Sequence, residues 1–76
     1  MEQFTLTAEI ITLDDGNYNI MIHPNDAIHN YIHAYKFVES GSLNQTLIDN
    51  FIIEQTSLLF NNLQTNHPEI ASNYYL

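Results

Sequence analysis

The stretch from residue 43 to residue 63 limits most strongly what this chain can fold into. Its apolar residues recur with the period of an α-helix, so it predicts a long central helix. Ser42, with Gln45 three residues later, has the spacing of a capping box at its start. Its core face is predicted to consist of one stripe and one flank: Leu43, Leu47, Phe51 and Leu58, flanked by Ile48, Ile52, Leu59 and Leu63. Ile53 and Phe60 lie towards the back, where either this chain or another must cover them.

Two strands are predicted before this helix. Residues 3–13 alternate between apolar and polar side chains at their start, which indicates a strand with one buried face. Residues 14–17 read Asp-Asp-Gly-Asn, and an Asp-Gly pair favours a tight hairpin turn. Tyr18 to His23 alternates again, with Ile20 and Ile22 on one side. The pattern therefore predicts an antiparallel β-hairpin.

A first helix is predicted from Asn25 or Asp26, as the N-cap, to about Glu39. Its apolar positions follow the i, i+3, i+4, i+7 pattern at Ile28, Tyr31, Ile32, Tyr35 and Val38. Phe37 falls on its opposite, polar face. Gly41 supplies the stop signal after this helix.

The last stretch, residues 68–76, is predicted to be a short helix with Pro68 at its first position. The whole chain, residues 1–76, is then a single small acidic domain. We expect an α+β fold, with an N-terminal antiparallel β-hairpin followed by two α-helices and a short C-terminal helix. The sheet and the helices form two layers.

Charge excludes several functions. The chain has nine acidic residues, one lysine and no arginine, which gives a formal net charge of −8. Phosphate contacts from Lys and Arg dominate nucleic-acid affinity, so direct nucleic-acid binding is not expected, and neither is binding to an anionic membrane. A basic protein surface is the partner that such a chain attracts. Net charge also serves solubility alone, and this explanation stays open.

Catalytic motifs are missing from the sequence. The chain has no cysteine, no glycine-rich loop and no serine in a nucleophile elbow, so we expect no enzyme and no cofactor. One ligand-like arrangement consists of Asp26, His29 and His33, with the two histidines four residues apart. Without a general base between them, we interpret these as polar side chains on a solvated helix face, and a metal-dependent enzyme is kept as a third hypothesis. The N-terminus has no signal-peptide pattern, so a cytoplasmic location is expected.

Two sets of residues are therefore candidates for contact with a partner. The acidic set is Glu9, Asp14, Asp15, Asp26, Glu39, Asp49, Glu54 and Glu69. The apolar set is Phe37, Ile53, Phe60, Tyr74 and Tyr75. Aromatic anchors within an acidic rim are typical of a protein that binds a basic partner. Packing inside the monomer is the alternative for every member of the apolar set.

Size, charge and the absence of a catalytic motif make this chain similar, at the level of class, to the small acidic anti-restriction and anti-CRISPR proteins of phages. The resemblance implies a non-enzymatic inhibitor that occupies a nucleic-acid-binding groove on its target by charge mimicry. Unlike a good phosphate mimic, this chain has its acids scattered along the sequence. The alternative hypothesis is a homo-oligomeric interaction module, such as a homodimer, or an antitoxin-like neutraliser. In either case an apolar helix face makes the contact.

Overall fold

The computed structural model of the chain describes residues 1–24 and 34–76. The elements in chain order are β1 (Glu2–Gln3), β2 (Thr7–Thr12), β3 (Tyr18–His23), β4 (Ala34–Val38), α1 (Gln45–Asn66), α2 (Pro68–Ala71) and β5 (Tyr74–Tyr75). The α+β class and the hairpin are confirmed. The predicted helix that ends near Glu39 is wrong over residues 34–38, which form a strand, and the rest of that prediction lies outside the described residues.

The β2–β3 hairpin closes through the predicted turn. Gly16 has φ of 86°, a left-handed conformation that favours glycine, and its N–H donates to the carbonyl of Leu13 at 3.0 Å. Asp15 accepts from the N–H of Asn17 at 3.0 Å through its side chain. These bonds fix the register in which Ile10 pairs with Ile20 and Ala8 with Ile22.

β4 pairs antiparallel with β3 on the side away from β2, so the strand order is β2-β3-β4. Residues 34–38 read Ala-Tyr-Lys-Phe-Val, and the aromatic and β-branched residues among them favour a strand. Pairing with β3 places Val38 opposite Tyr18 and Lys36 opposite Ile20. Val38 is buried as a result, and Tyr35, which was predicted to face the core, is exposed.

α1 begins at Gln45 rather than directly after Ser42, and its N-cap is Asn44. The Asn44 side-chain oxygen accepts from the N–H of Leu47 at 2.9 Å. An asparagine satisfies an otherwise unpaired donor of the first turn in this way. The capping box predicted at Ser42 is therefore wrong, because the cap lies two residues further along the chain.

Replacing this cap gives a direct test of where the helix begins. Asn44→Ala is expected to lower the free energy of unfolding by about 1 kcal/mol, because the Leu47 N–H loses its acceptor. Chemical denaturation measures the change. Ser42→Ala is the matched control and should alter stability by less than about 0.5 kcal/mol. A larger loss at Ser42 than at Asn44 would show that the helix starts at the earlier residue.

The core lies between one face of the sheet and α1, and it extends to both chain ends. Its buried residues are Phe4, Leu6, Ile22, Phe60, Leu63, Ala71 and Tyr74, with Phe51, Ile52, Leu59 and Ile70 partly buried against them. The Phe60 ring packs on the Phe4 ring at 5.1 Å between centroids, and Tyr74 meets Phe4 edge-on at 6.3 Å. Phe60, predicted to lie at the back of the helix, is thus a core residue.

This packing shows that α1 is rotated relative to the core face predicted from its sequence. Leu58, placed in the central stripe, is 54% exposed, whereas Phe60 is 5% exposed and Leu63 is 2% exposed. Three members of the predicted flank, Ile52, Leu59 and Leu63, belong to the core or pack against it, and the fourth, Ile48, is half-buried. The central stripe was wrong at Leu58, because the apolar surface of this helix is wider than the layer that covers it.

The two chain ends meet in a short parallel pairing that was not predicted. β1 pairs with β5, with Glu2 opposite Tyr74 and Gln3 opposite Tyr75. The N–H of Phe4 donates to the carbonyl of Tyr75 at 2.7 Å. Pro68 does open a short helix as predicted, but the helix ends at Ala71, and Tyr74 and Tyr75 form a strand instead. Among the described helices, α1 included, there is no segment suited to crossing a membrane.

Candidate protein-binding face

The sheet has one face covered by α1 and one face that no described element covers. The register decides which side chains share a face. Successive side chains of one strand point to opposite faces, and residues directly opposite each other on neighbouring strands point to the same face. We call the second one the open face. Its side chains are those of Thr7, Glu9, Ile11, Asn19, Met21, His23, Tyr35 and Phe37.

Four apolar side chains lie around Asn19 on the open face. Met21 of β3 lies directly opposite Tyr35 of β4, and Phe37 is the next residue of β4 on that side. Ile11 of β2 lies across β3 from Phe37, since both pair with Asn19. Tyr35 is 67% exposed and Phe37 is 52% exposed. These four residues, Ile11, Met21, Tyr35 and Phe37, are called the apolar patch below.

Carboxylates border this patch. Glu9 lies opposite Met21 on the open face, where its Oε1 is 2.9 Å from Nε2 of His23. Asp14 and Asp15 lie in the hairpin turn at one end of the sheet. Glu39 follows β4 at the same end, and the neighbouring N–H of Ser40 donates to the Asn17 side chain at 3.0 Å. The fold therefore places Glu39 at the same end of the sheet as Asp14 and Asp15, whereas Glu9 lies on the open face nearer the opposite end.

The other predicted acids lie elsewhere. Asp49 and Glu54 are exposed on α1, and Glu69 is exposed on α2. Asp49 and Glu69 are far apart, because about 25 Å of helix axis, at 1.5 Å per residue, separates Asp49 from the end of α1 that precedes α2. Asp26 lies outside the described residues. Three acids thus form a group at the hairpin end of the sheet and Glu9 lies apart on the open face. Asp49, Glu54 and Glu69 are dispersed over the helices, so the acids do not form a row along one surface.

The only lysine lies on the other side of the sheet. Lys36 alternates with Tyr35 and Phe37, so it shares the covered face, and its Nζ is 5.9 Å from the centre of the Phe51 ring of α1. This distance permits a cation–π attraction. A groove of about 450 Å³ adjoins it, between Lys36, Phe51 and Glu54. No Lys or Arg of the chain is therefore on the open face.

The predicted apolar contacts divide into buried and exposed residues. Phe60 and Tyr74 are buried in the core, so their side chains are not available to a partner, and the alternative of packing inside the monomer holds for both. Tyr75 is 48% exposed and Ile53 is 67% exposed. Ile53 and Leu58 are the exposed large apolar residues of α1, and five residues of helix turn them about 140° apart. They do not form one continuous helix face.

The predicted metal ligands Asp26, His29 and His33 lie outside the described residues. Within residues 1–24 and 34–76, no group of three His, Asp or Glu side chains is placed to hold a metal ion. His23 and His67 each lie near one carboxylate, that of Glu9 and Glu69 respectively. The hydroxyls of Thr56 and Thr65 on α1 donate hydrogen bonds to main-chain carbonyls one turn earlier, those of Ile52 at 2.7 Å and Asn61 at 3.0 Å.

Sequence reasoning placed Phe37 on the surface but missed Met21 and Tyr35. The sequence pattern predicts that Tyr35 faces the core, because it completes a helical pattern with Tyr31 and Val38. The signal that identifies it is the alternation within residues 34–38, where Tyr35 and Phe37 fall on one side and Lys36 on the other. The alternation in residues 18–23 puts Met21 on the side of β3 opposite Ile20 and Ile22, but without a neighbouring aromatic residue it gives no sign of a site.

Comparison of the chain with protein-family models, with curated proteins and with solved structures finds no match. The fold and the open face by themselves define a class: a small acidic α+β protein with one exposed apolar sheet face.

Proposed function

We propose that this chain is a non-enzymatic protein that binds a basic surface on another protein and blocks it. The observation that carries the proposal is the separation of charge across the sheet. The apolar patch is bordered by Glu9, Asp14, Asp15 and Glu39, whereas the only lysine lies on the opposite face against Phe51. A partner approaching the open face meets aromatic side chains, carboxylates and the His23 imidazole beside Glu9, and no competing Lys or Arg.

The two parts of this surface would do different work. Exposed aromatic side chains supply most of the affinity at protein interfaces once they are buried, so Tyr35 and Phe37 are the anchors. Acids at the rim mainly accelerate encounter with a positively charged partner and exclude negatively charged ones. Because the acids are not in a row, contact by the apolar patch, and not replacement of each phosphate by a carboxylate, would hold the complex together.

A nucleic-acid-binding groove is the kind of basic surface that such a protein would block. Its Lys and Arg side chains are arranged to meet the negative charge of phosphates, and the same charges attract the hairpin end of the sheet. The function proposed is thus inhibition of the type found in phage anti-restriction and anti-CRISPR proteins. The expected result of binding is loss of nucleic-acid binding by the partner.

A capture experiment followed by quantitative binding tests this proposal. The tagged chain is used to isolate a partner from its source cells, and the purified pair is measured by calorimetry. Affinity should fall as salt rises from about 50 to about 200 mM, because the Debye length shortens over this range. Tyr35→Ser with Phe37→Ser should weaken binding by about 30-fold or more, the loss typical of interface hot spots.

Ile53→Ser with Leu58→Ser is the matched control, since it removes two exposed apolar side chains from α1. The control should change affinity by less than about twofold, as is usual for surface positions outside an interface. Three results would contradict the proposal. These are an equal loss of affinity in the two double variants, an affinity that does not change with salt concentration, and a partner that still binds nucleic acid when saturated with this chain.

A further inference from the structure

We infer that the element of the partner that occupies the open face is a basic amphipathic α-helix. This inference rests on the proposed function and specifies the partner structure that the face accepts. The first reason is its size. Three strands of five or six residues form a surface roughly 17–20 Å long and about 10 Å between the outer strands. An α-helix is about 10–12 Å across, and about 12 residues of it extend 18 Å.

The covered face of the same sheet shows this mode of packing. There, Ile22 belongs to the same core cluster as Phe60 and Leu63 of α1, and Ile52 and Leu59 of α1 pack against that cluster. The apolar patch offers comparable side chains on the opposite side, contributed by all three strands. A helix placed on it would convert two layers into three and bury Tyr35 and Phe37, the most exposed large apolar side chains of the three strands.

Charge determines which helix fits. Glu9 flanks the apolar patch on the β2 side, and Asp14, Asp15 and Glu39 lie beyond one end. A helix with an apolar stripe and Lys or Arg beside it would meet the Glu9 carboxylate on the β2 side and three more carboxylates at the hairpin end. A second copy of this chain is disfavoured as the occupant, because two open faces brought together would place carboxylates near carboxylates with no Lys or Arg on either side.

Three synthetic peptides of about 14 residues distinguish a helix from other occupants. The first consists of Leu and Lys with all Leu on one helical face. The second has Glu in place of every Lys. The third has the sequence of the first except that two central Leu residues are changed to Pro, which prevents helix formation. Binding to the ¹⁵N-labelled chain is followed by amide shifts and by fluorescence titration.

The Leu–Lys peptide should bind at least about tenfold more tightly than either of the other two. Amide shifts should be concentrated in β2, β3 and β4 rather than on the exposed side of α1. Tyr35→Ser with Phe37→Ser should reduce this affinity by about tenfold or more, and Ile53→Ser with Leu58→Ser should leave it within about twofold. Circular dichroism should show the peptide becoming helical in the complex.

Other outcomes would overturn the inference. Equal binding of the Pro-containing peptide would indicate an extended occupant, such as a strand at the β2 or β4 edge. Equal binding of the Glu peptide would remove the role of charge. No binding of the Leu–Lys peptide, or dimerisation of the chain that depends on Tyr35 and Phe37, would exclude the helix as well. If a captured basic partner nevertheless binds through the open face in a salt-dependent way, the proposed function stands and only the helix is wrong.

Discussion

Replacing Phe60 by alanine is expected to remove most of the stability of this domain. The ring is 5% exposed and packs on Phe4 at 5.1 Å, so truncation leaves a cavity in the centre of the core. Phe-to-Ala changes of this kind cost about 3–5 kcal/mol. A 76-residue domain has only about 4–11 kcal/mol in total. Urea denaturation followed by circular dichroism measures the loss.

Leu58→Ala is the control for Phe60→Ala, because Leu58 lies on the same helix and is 54% exposed. It should cost less than about 0.5 kcal/mol. Phe60→Leu keeps a measurable transition if Phe60→Ala does not fold, and it should still be less stable than the wild-type chain. A greater loss at Leu58 than at Phe60 would mean that α1 presents its sequence-predicted stripe to the sheet and that the core described above is incorrect.

Reversing the charges at the hairpin end should slow association with a basic partner by about 10-fold or more at low salt. The change is Asp14→Lys, Asp15→Lys and Glu39→Lys. Because the Asp15 side chain also accepts from the Asn17 N–H in the turn, the amide spectrum of the variant must still show the β2–β3 pairing. Each substitution removes one negative charge and adds one positive charge, so three of them raise the formal net charge from −8 to −2. Steering by rim charges acts mainly on the association rate, which stopped-flow or surface-binding kinetics measure at several salt concentrations.

The matched control reverses three acids on the helices: Asp49→Lys, Glu54→Lys and Glu69→Lys. It gives the same net charge but leaves the hairpin end unchanged. The rates of the hairpin-end variant and the wild-type chain should converge as salt increases, and the control should be slowed much less. Equal slowing in both variants would indicate that total charge, rather than the acids around the open face, governs association.

The hairpin was predictable from local sequence because its signals agree with one another. An alternating pattern, the Asp-Gly turn and a second alternating pattern all favour the same structure, and β3 spans Tyr18–His23 as predicted. The interior of the long helix was predictable for the same reason. The rotation of this helix about its own axis could not be predicted. Nearly every side of the helix carries an apolar residue, and only the neighbouring layers select which of them are buried.

β4 shows where local pattern misleads. Tyr35 and Val38 fit a helical period, but residues 34–38 also fit the alternation of a strand. Pairing with β3, which places Lys36 opposite Ile20 and Phe37 opposite Asn19, selects the strand. The open face depends on that pairing, so the apolar patch could not be derived before β4 was placed. The termini present a similar case, since the contact of Glu2 with Tyr74 joins distant positions that no short-range signal connects.

The single lysine has a practical consequence for following the motions of the sheet. Trypsin cleaves after lysine and arginine, and this chain offers it one peptide bond, between Lys36 and Phe37. That bond lies inside β4, where pairing with β3 holds it in an extended ladder. Cleavage requires β4 to separate from its neighbour, so the rate of appearance of two fragments measures the opening of one defined strand. The strand that opens is the one that carries Tyr35 and Phe37.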